Sequence, residues 1–169
     1  MEAFENLLSR RSVRAFTSKA VPLELAKELI RAAMYAPSAG NQQPWAFVLI
    51  TDRHILDEIP RIHPHAAMVA ESPAAVLVCG DTRELRHPEM WVQDCAAATQ
   101  NLLLAAHAKE LGAVWVGIYP REERMTPMKH LLALPGGVEP FALVPLGCPA
   151  QETAQPDRFH EERIHMNRW

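Results

Sequence analysis

A short run of basic residues near the N-terminus is the segment of this chain best suited to bind an anion. Arg10, Arg11 and Arg14 lie within five residues, and Ser12 adds a hydroxyl between them. A guanidinium group is permanently charged and forms paired hydrogen bonds with phosphate oxygens. Because three guanidinium groups this close repel one another, an anion that shared the site would stabilise them. The alternative is a basic patch that faces water, as short runs of like charge usually do.

A second segment, residues 36–45, could surround a polar, uncharged ring. Its sequence, A-P-S-A-G-N-Q-Q-P-W, supplies hydroxyl and amide side chains but no acid and no base. Amides and hydroxyls donate and accept hydrogen bonds, which suits the edge of a planar heterocycle. The alternative is an ordinary connection between a helix and a strand, in which Pro, Ser, Gly and Asn are common.

The spacing of apolar residues predicts five helices that would position these segments. The first ends just before Arg10 and presents the basic run; the second opens at Val21-Pro22 and stops at Pro37. The other three are predicted over residues 53–59, 90–111 and 126–132, the first of these ending before Pro60. The longest is apolar almost all round, which in a chain this small indicates burial against a second subunit.

Four apolar runs predict strands over residues 46–50, 74–79, 113–119 and 141–146. The first is a nearly continuous apolar run, which indicates a strand buried on both faces. Gly117 lies inside the third, where glycine favours close approach to the backbone by something flat, or else marks a bulge. Pro145 cannot donate a hydrogen bond to a sheet and is therefore expected at an edge or a bulge.

The composition indicates one soluble domain, residues 1–169. A net charge of −3 argues against a nucleic-acid partner, and no stretch approaches the roughly 20 apolar residues of a membrane span. Three widely spaced cysteines suggest neither a disulfide framework nor a thiolate metal site, which fits the cytoplasm. His63 and His65 lack partner ligands, so we expect two partly exposed loop histidines and no metal.

Residues 149–169 form a polar tail with apolar residues spaced along it. Phe159, Ile164, Met166 and Trp169 are too sparse to fold a unit of their own. We expect this tail to lie as an arm on a second subunit; the alternative is a disordered terminus.

Several common chemistries lack their motifs here. There is no G-x-G-x-x-G after a strand, no G-x-x-x-x-G-K-[ST], no G-x-S-x-G and no H-E-x-x-H. A basic cluster and an amide-lined loop remain, and that pair suits a mononucleotide with a neutral ring.

Together these segments resemble the FMN-dependent nitroreductase family. The resemblance rests on R-R-S-x-R, on A-P-S-x-x-N-x-Q-P-W, on W-V-G-I at residues 115–118 and on I-H-x-N-x-W at residues 164–169. It implies an α+β fold with a central mixed or antiparallel sheet flanked by helices, and a C-terminal arm exchanged in a homodimer. It also implies ping-pong, two-electron reduction of nitroaromatics, quinones or related electron-poor acceptors by NAD(P)H, with FMN carrying the chemistry and no catalytic side chain.

The resemblance also implies roles for the basic residues. Arg10 and Ser12 would bind the FMN phosphate, with Arg11 close by and Arg158 helping from the tail. Arg14 would reach the pyrimidine edge of the flavin. A permanent positive charge there stabilises the negative charge that two-electron reduction delivers.

The remaining implied contacts come from backbone and from the loop. Backbone at Val116 and Gly117 would approach flavin N5, with FMN at the subunit interface. The loop of the partner subunit would line the ribityl chain and the ring through Pro37, Ser38, Ala39, Asn41 and Gln43. Many relatives carry two adjacent basic residues where this chain has Asp157-Arg158, and a lysine near Ala67, so positive charge is lost at both places.

Two other interpretations stay open. The same residues would serve a non-catalytic FMN-binding redox sensor or flavin carrier. A small-anion module without flavin would need only the basic run.

Overall fold

Five strands form one antiparallel sheet with helices on both of its faces, as a computed structural model of residues 1–169 shows. The helices are α1 (Ala3–Ser9), α2 (Leu23–Ala33), α3 (Arg53–Ile62), α4 (Trp91–Ala108) and α5 (Glu122–Leu131). The strands are β1 (Trp45–Ile50), β2 (Ala74–Asp81), β3 (Gly112–Ala113), β4 (Val116–Gly117) and β5 (Val138–Gly147). The predicted α+β class with a central antiparallel sheet is confirmed, whereas the exchange of the C-terminal arm stays a prediction.

The strand order is β1-β2-β5-β3, with β4 also paired to β5. Side chains alternate between the two faces of β2, as the pleat requires. Val76 and Val78 pack with α2 and α4 in one core cluster, whereas Leu77 and Cys79 pack with α3 and α5 in another. The sheet therefore separates two apolar layers, and both central strands are buried nearly throughout.

β1 was expected to be buried on both faces, and this prediction is wrong. Only Ile50 is buried, because β1 pairs with β2 alone and lies at the edge of the sheet. The predicted strand over residues 113–119 is likewise divided into β3 and β4.

Pro145 lies in the central strand β5, not at an edge or a bulge as predicted. On one side it faces Ala75 of β2. On the other side, the pairs Ala113–Leu146 and Val116–Leu143 place it opposite the gap between β3 and β4. The sheet thus tolerates Pro145 because the ladder is interrupted beside it.

Two helix boundaries that were predicted from prolines are also wrong. Pro60 lies inside α3, although this helix was predicted to stop before it. Pro127 lies inside α5, although this helix was predicted to begin at residue 126. Buried side chains in both helices offset the lost backbone bond, since packing contributes more to helix stability than propensity does. α2 begins one residue after Pro22, and α4 ends at Ala108 rather than residue 111.

None of the five helices combines the length and the apolar character that a bilayer crossing requires.

Candidate functional site

The basic run lies extended beside β3, directly after α1. Ser12 bridges to Ala113, and the N–H of Val13 donates to the carbonyl of Ala113 at 3.0 Å. Val13 is buried against Gly112, where an added side-chain carbon would come within 2.6 Å of it. The sequence Gly112-Ala113 thus lets Val13 fix the segment, and the side chain of Arg14 stays exposed.

Three guanidinium groups line an open cleft of about 510 Å³ between α1 and the tail. They belong to Arg10, Arg11 and Arg158, and the Nε of Arg11 donates to the carbonyl of Ala154 at 3.2 Å. Burial, followed by the charges of Arg158 and Arg11, lowers the pKa of Arg10. None of the three pairs with a carboxylate within the chain. This unpaired positive cluster can bind a phosphate group. Ser12 does not line the cleft.

A second cavity, of about 330 Å³, brings Arg14 together with Val116 and Gly117. A side-chain carbon added at Gly117 would meet no atom within 4 Å, so space lies open above this backbone. The side chain of Arg14 forms no ion pair within the chain. Open backbone beside an unpaired cation suits a flat ring that takes up negative charge. Trp115 and Arg124 also line this cavity.

The carbonyl of Gly117 accepts hydrogen bonds from His63 Nε2 and from Arg124 Nη1, both at 2.9 Å. The N–H of His65 donates to His63 Nδ1 at 3.2 Å, so the ring carries its single proton on Nε2. Burial lowers the pKa of His63, and the charges of Arg124 and His65 lower it further. The prediction that His63 is partly exposed is wrong: it is 1% exposed because it closes onto Gly117, whereas His65 is exposed.

A buried carboxylate anchors the amide-rich loop. The N–H of Ala39 donates to Asp94 Oδ1 at 2.9 Å, and Gln42 Nε2 donates to Asp94 Oδ2 at 2.7 Å. Gln42 is itself held on both sides by the backbone of His87, since its Nε2 donates to the carbonyl and its Oε1 accepts from the N–H. The loop is therefore fixed to the start of α4 rather than free.

The same loop turns sharply through left-handed backbone. Gly40, Asn41 and Gln43 have φ values of 53°, 54° and 49°. Gln43 donates from its N–H to Ser38 Oγ at 3.0 Å and from its Nε2 to Asn41 Oδ1 at 2.9 Å. The side chains of Asn41 and Gln43 are exposed, as is Pro37. The loop thus presents amide groups outward in a fixed arrangement.

The loop and the basic cleft lie near opposite ends of α4. Asp94 holds the loop near the start of this helix, and His107 Nε2 meets Ser9 Oγ at 2.9 Å near its end. From Asp94 to His107 the helix rises about 20 Å at 1.5 Å per residue. No loop residue lines the cleft of Arg10 or the cavity of Arg14. A single chain therefore carries two separated halves of the predicted site.

Four residues of the site were not predicted from the sequence: Gln42, His63, Asp94 and Arg124. Asp94 had a signal, because an acid within an otherwise apolar stretch of helix must find a partner when it is buried. The other three gave no signal for these roles, because their hydrogen bonds go to backbone groups of His87 and Gly117 that no local motif marks. No cluster of three or more His, Cys, Asp or Glu side chains could hold a metal.

A model of the nitroreductase family matches residues 7–148. The chain belongs to the nitroreductase family. It is 43% identical over its full length to a Methanothermobacter thermautotrophicus protein named as an NADH dehydrogenase/NAD(P)H nitroreductase, 88% of which it covers. It is also 24% identical to an FMN reductase [NAD(P)H] of Bacillus subtilis, with 97% of this chain and 72% of that protein covered.

Solved structures agree with this membership. A crystal structure named as an NADH dehydrogenase/NAD(P)H nitroreductase from Bacteroides thetaiotaomicron matches with a TM-score of 0.94, at 38% identity over 99% of this chain and 98% of that one. A nitroreductase in complex with FMN from Desulfovibrio desulfuricans matches with a TM-score of 0.86, at 30% identity over 100% and 98%. The predicted family, its fold and its enzyme class are confirmed.

Proposed function

We propose that this chain, an FMN-dependent NAD(P)H oxidoreductase of the nitroreductase family, works in the cytoplasm as a homodimer with FMN at the subunit interface. Its reaction is two-electron, ping-pong reduction of nitroaromatics, quinones or related electron-poor small molecules. The observation that carries the proposal is the separation of about 20 Å along α4 between the loop and the basic cleft. In a dimer, the loop of one chain would meet the basic cleft of the other chain.

The residues present fit FMN. Asp157 also lines the cleft, but no carboxylate forms an ion pair with Arg10, Arg11 or Arg158, so this cluster retains a net positive charge that suits a phosphate. The open space above Gly117, with Arg14 beside it, suits a flat ring that becomes negatively charged. When bound, FMN supplies hydride transfer between NAD(P)H and the acceptor.

The chain's own residues bind and orient rather than transfer protons. Arg10 and Arg11 hold the phosphate end, with Arg158 from the tail. Arg14 supplies a fixed positive charge to the cavity. His63 is not a free acid or base, because both of its ring nitrogens are already hydrogen-bonded within the chain. The absence of a separate nicotinamide motif agrees with a shared face that the two substrates occupy in turn.

In this proposal, the partner subunit covers the bound FMN. Its loop at Pro37, Ser38, Ala39, Asn41 and Gln43 would line the ring and the ribityl chain. Every residue of the predicted arm, residues 149–169, is exposed, and the part after Arg158 carries large apolar side chains. These are Phe159 (71% exposed), Ile164 (56%), Met166 (79%) and Trp169 (100%). This last part would lie on the other protomer, whereas residues 150–158 contact α1 and the basic run of their own chain. Apolar surface of this kind favours contact with a second subunit.

The test begins with the purified protein: its visible spectrum, the cofactor released on denaturation, and its mass in solution. Steady-state oxidation of NADH and NADPH is then measured with a nitroaromatic and with a quinone. The proposal expects a yellow dimer and parallel double-reciprocal plots. A monomer that retains no FMN after incubation with an excess of FMN would refute it. A loaded dimer that turns over neither acceptor would instead favour a flavin carrier or redox sensor.

A further inference from the structure

Two side chains from different parts of the chain converge on one backbone carbonyl. His63 follows α3, and Arg124 belongs to α5, yet both donate to the oxygen of Gly117 at 2.9 Å. A carbonyl oxygen has two lone pairs, and here side-chain donors occupy both. The peptide after Gly117 is therefore fixed in orientation, at the position where space lies open for a ring.

The guanidinium group of Arg124 also lacks a counter-charge within the chain. Its Nε is buried without a hydrogen-bond partner, and none of the ion pairs of the chain includes it. Burying part of a guanidinium without a counter-charge is unfavourable unless something else stabilises it. The side chain lines the same cavity as Arg14. An electron-rich group in that cavity would lie beside both guanidinium groups and offset their positive charge.

We propose that Arg124 is a positioning residue of the flavin site: it fixes the Gly117 peptide and gives the cavity of Arg14 a second permanent positive charge. This inference rests on the proposed function. His63 is the neutral member of the pair and holds the peptide without adding charge. Together, Arg14 and Arg124 stabilise the negative charge that accumulates when FMN is reduced.

The expected effect is a change in the preference for reduced over oxidised FMN. Loss of one cation from a partly desolvated cavity should reduce that preference by about tenfold, since charges interact strongly where water is excluded. For a two-electron couple, a tenfold change corresponds to a drop of about 30 mV in the midpoint potential of bound FMN.

Three variants separate charge from structure. Arg124→Met removes the charge and the donor, whereas Arg124→Lys keeps the charge. Arg121→Met is the matched control: Arg121 lies just before the same helix, pairs only with exposed Glu123 at 3.6 Å, and does not line the cavity. The midpoint potential of bound FMN is measured by equilibration with a reference dye, and FMN affinity by fluorescence titration.

The inference expects a tenfold loss of preference in Arg124→Met, at most a threefold loss in Arg124→Lys, and no change in Arg121→Met. A potential in Arg124→Met that matches the wild type overturns it, as does an equal fall in the Met and Lys variants. If Arg124→Met does not fold, Arg124→Gln takes its place with the same expected result. Wild-type protein that binds no FMN would instead refute the proposed function itself.

Discussion

Asp94→Asn is a minimal change in the anchor of the amide-rich loop. The side chain keeps its size, but one carboxylate oxygen becomes an NH2 group. Asp94 is 4% exposed and accepts one hydrogen bond on each oxygen, from Ala39 and from Gln42. Whichever way the new amide is turned, it places one donor against another.

Gln42 cannot relieve this conflict by rotating its own amide. Its Nε2 donates to the carbonyl of His87 at 3.1 Å, and its Oε1 accepts from the N–H of His87 at 3.0 Å. A rotation would break both of these bonds. Loss of one hydrogen bond to a buried charged acceptor is therefore the smallest available effect, and it costs about 2 kcal/mol. In a chain of this size that corresponds to a fall in Tm of about 4–8 °C.

The measurement is urea unfolding at fixed protein concentration, with and without saturating FMN, because bound ligand and association both shift apparent stability. We expect Asp94→Asn to lower the free energy of unfolding in both conditions and to weaken FMN binding. Glu89→Gln is the matched control, since it removes the same charge from an exposed residue just before α4. That control is expected to stay within about 0.5 kcal/mol of the wild type.

A double-mutant cycle with Gln42→Ala decides whether the reasoning holds. If a donor facing a donor causes the loss, Asp94→Asn should do less damage once Gln42 is gone, with a coupling of about 1 kcal/mol or more. Effects of the two substitutions that add within about 0.5 kcal/mol would refute the explanation.

Further expectations concern the cavity, the buried histidine and the thiols. Gly117→Ala should leave the free energy of unfolding within about 0.5 kcal/mol of the wild type, since its side chain meets no atom within 4 Å, yet weaken FMN binding by about tenfold in a fluorescence titration. Because the pKa of His63 is lowered by burial, the unfolded chain takes up its proton first, so stability should fall as the pH falls below 6.5. His63→Gln should flatten that pH dependence in urea titrations, and an unchanged slope would contradict the assignment. Burial raises the pKa of Cys79 and of Cys95 to about 12, so at pH 8 a thiol reagent should modify only half-buried Cys148 until the protein is unfolded.

Most elements could be predicted from the sequence because their apolar spacing reflects burial within a single chain. Ala26, Leu29 and Ala33 follow the helical period in α2 and are all buried. The errors arise where contacts distant in sequence outweigh a local rule. Pro60 and Pro127 continue helices that bury large side chains, and Pro145 occupies a central strand because its neighbour is interrupted there.

The site residues, too, fall into those that a local motif marks and those that depend on contacts formed in the fold. Residues that act side by side in the sequence, such as Arg10, Arg11 and Arg14, leave a recognisable motif. His63 and Arg124 act on Gly117 from 54 and 7 residues away, through a carbonyl that every residue possesses. No pattern of residue types records that convergence, and only the folded chain reveals it.

The loop and the arginine cleft lie about 20 Å apart along α4, so we expect a substitution in one to leave the other unchanged. In the proposed homodimer, a chain with a substitution at Arg10 keeps a functional loop, and a chain with a substitution at Asp94 keeps a functional arginine cleft. A mixed dimer would combine these two unaltered parts in one site. One site of such a mixed pair would be whole, and the other would carry both lesions. Two inactive alleles expressed in one cell should therefore restore activity to each other, which a monomeric enzyme cannot do.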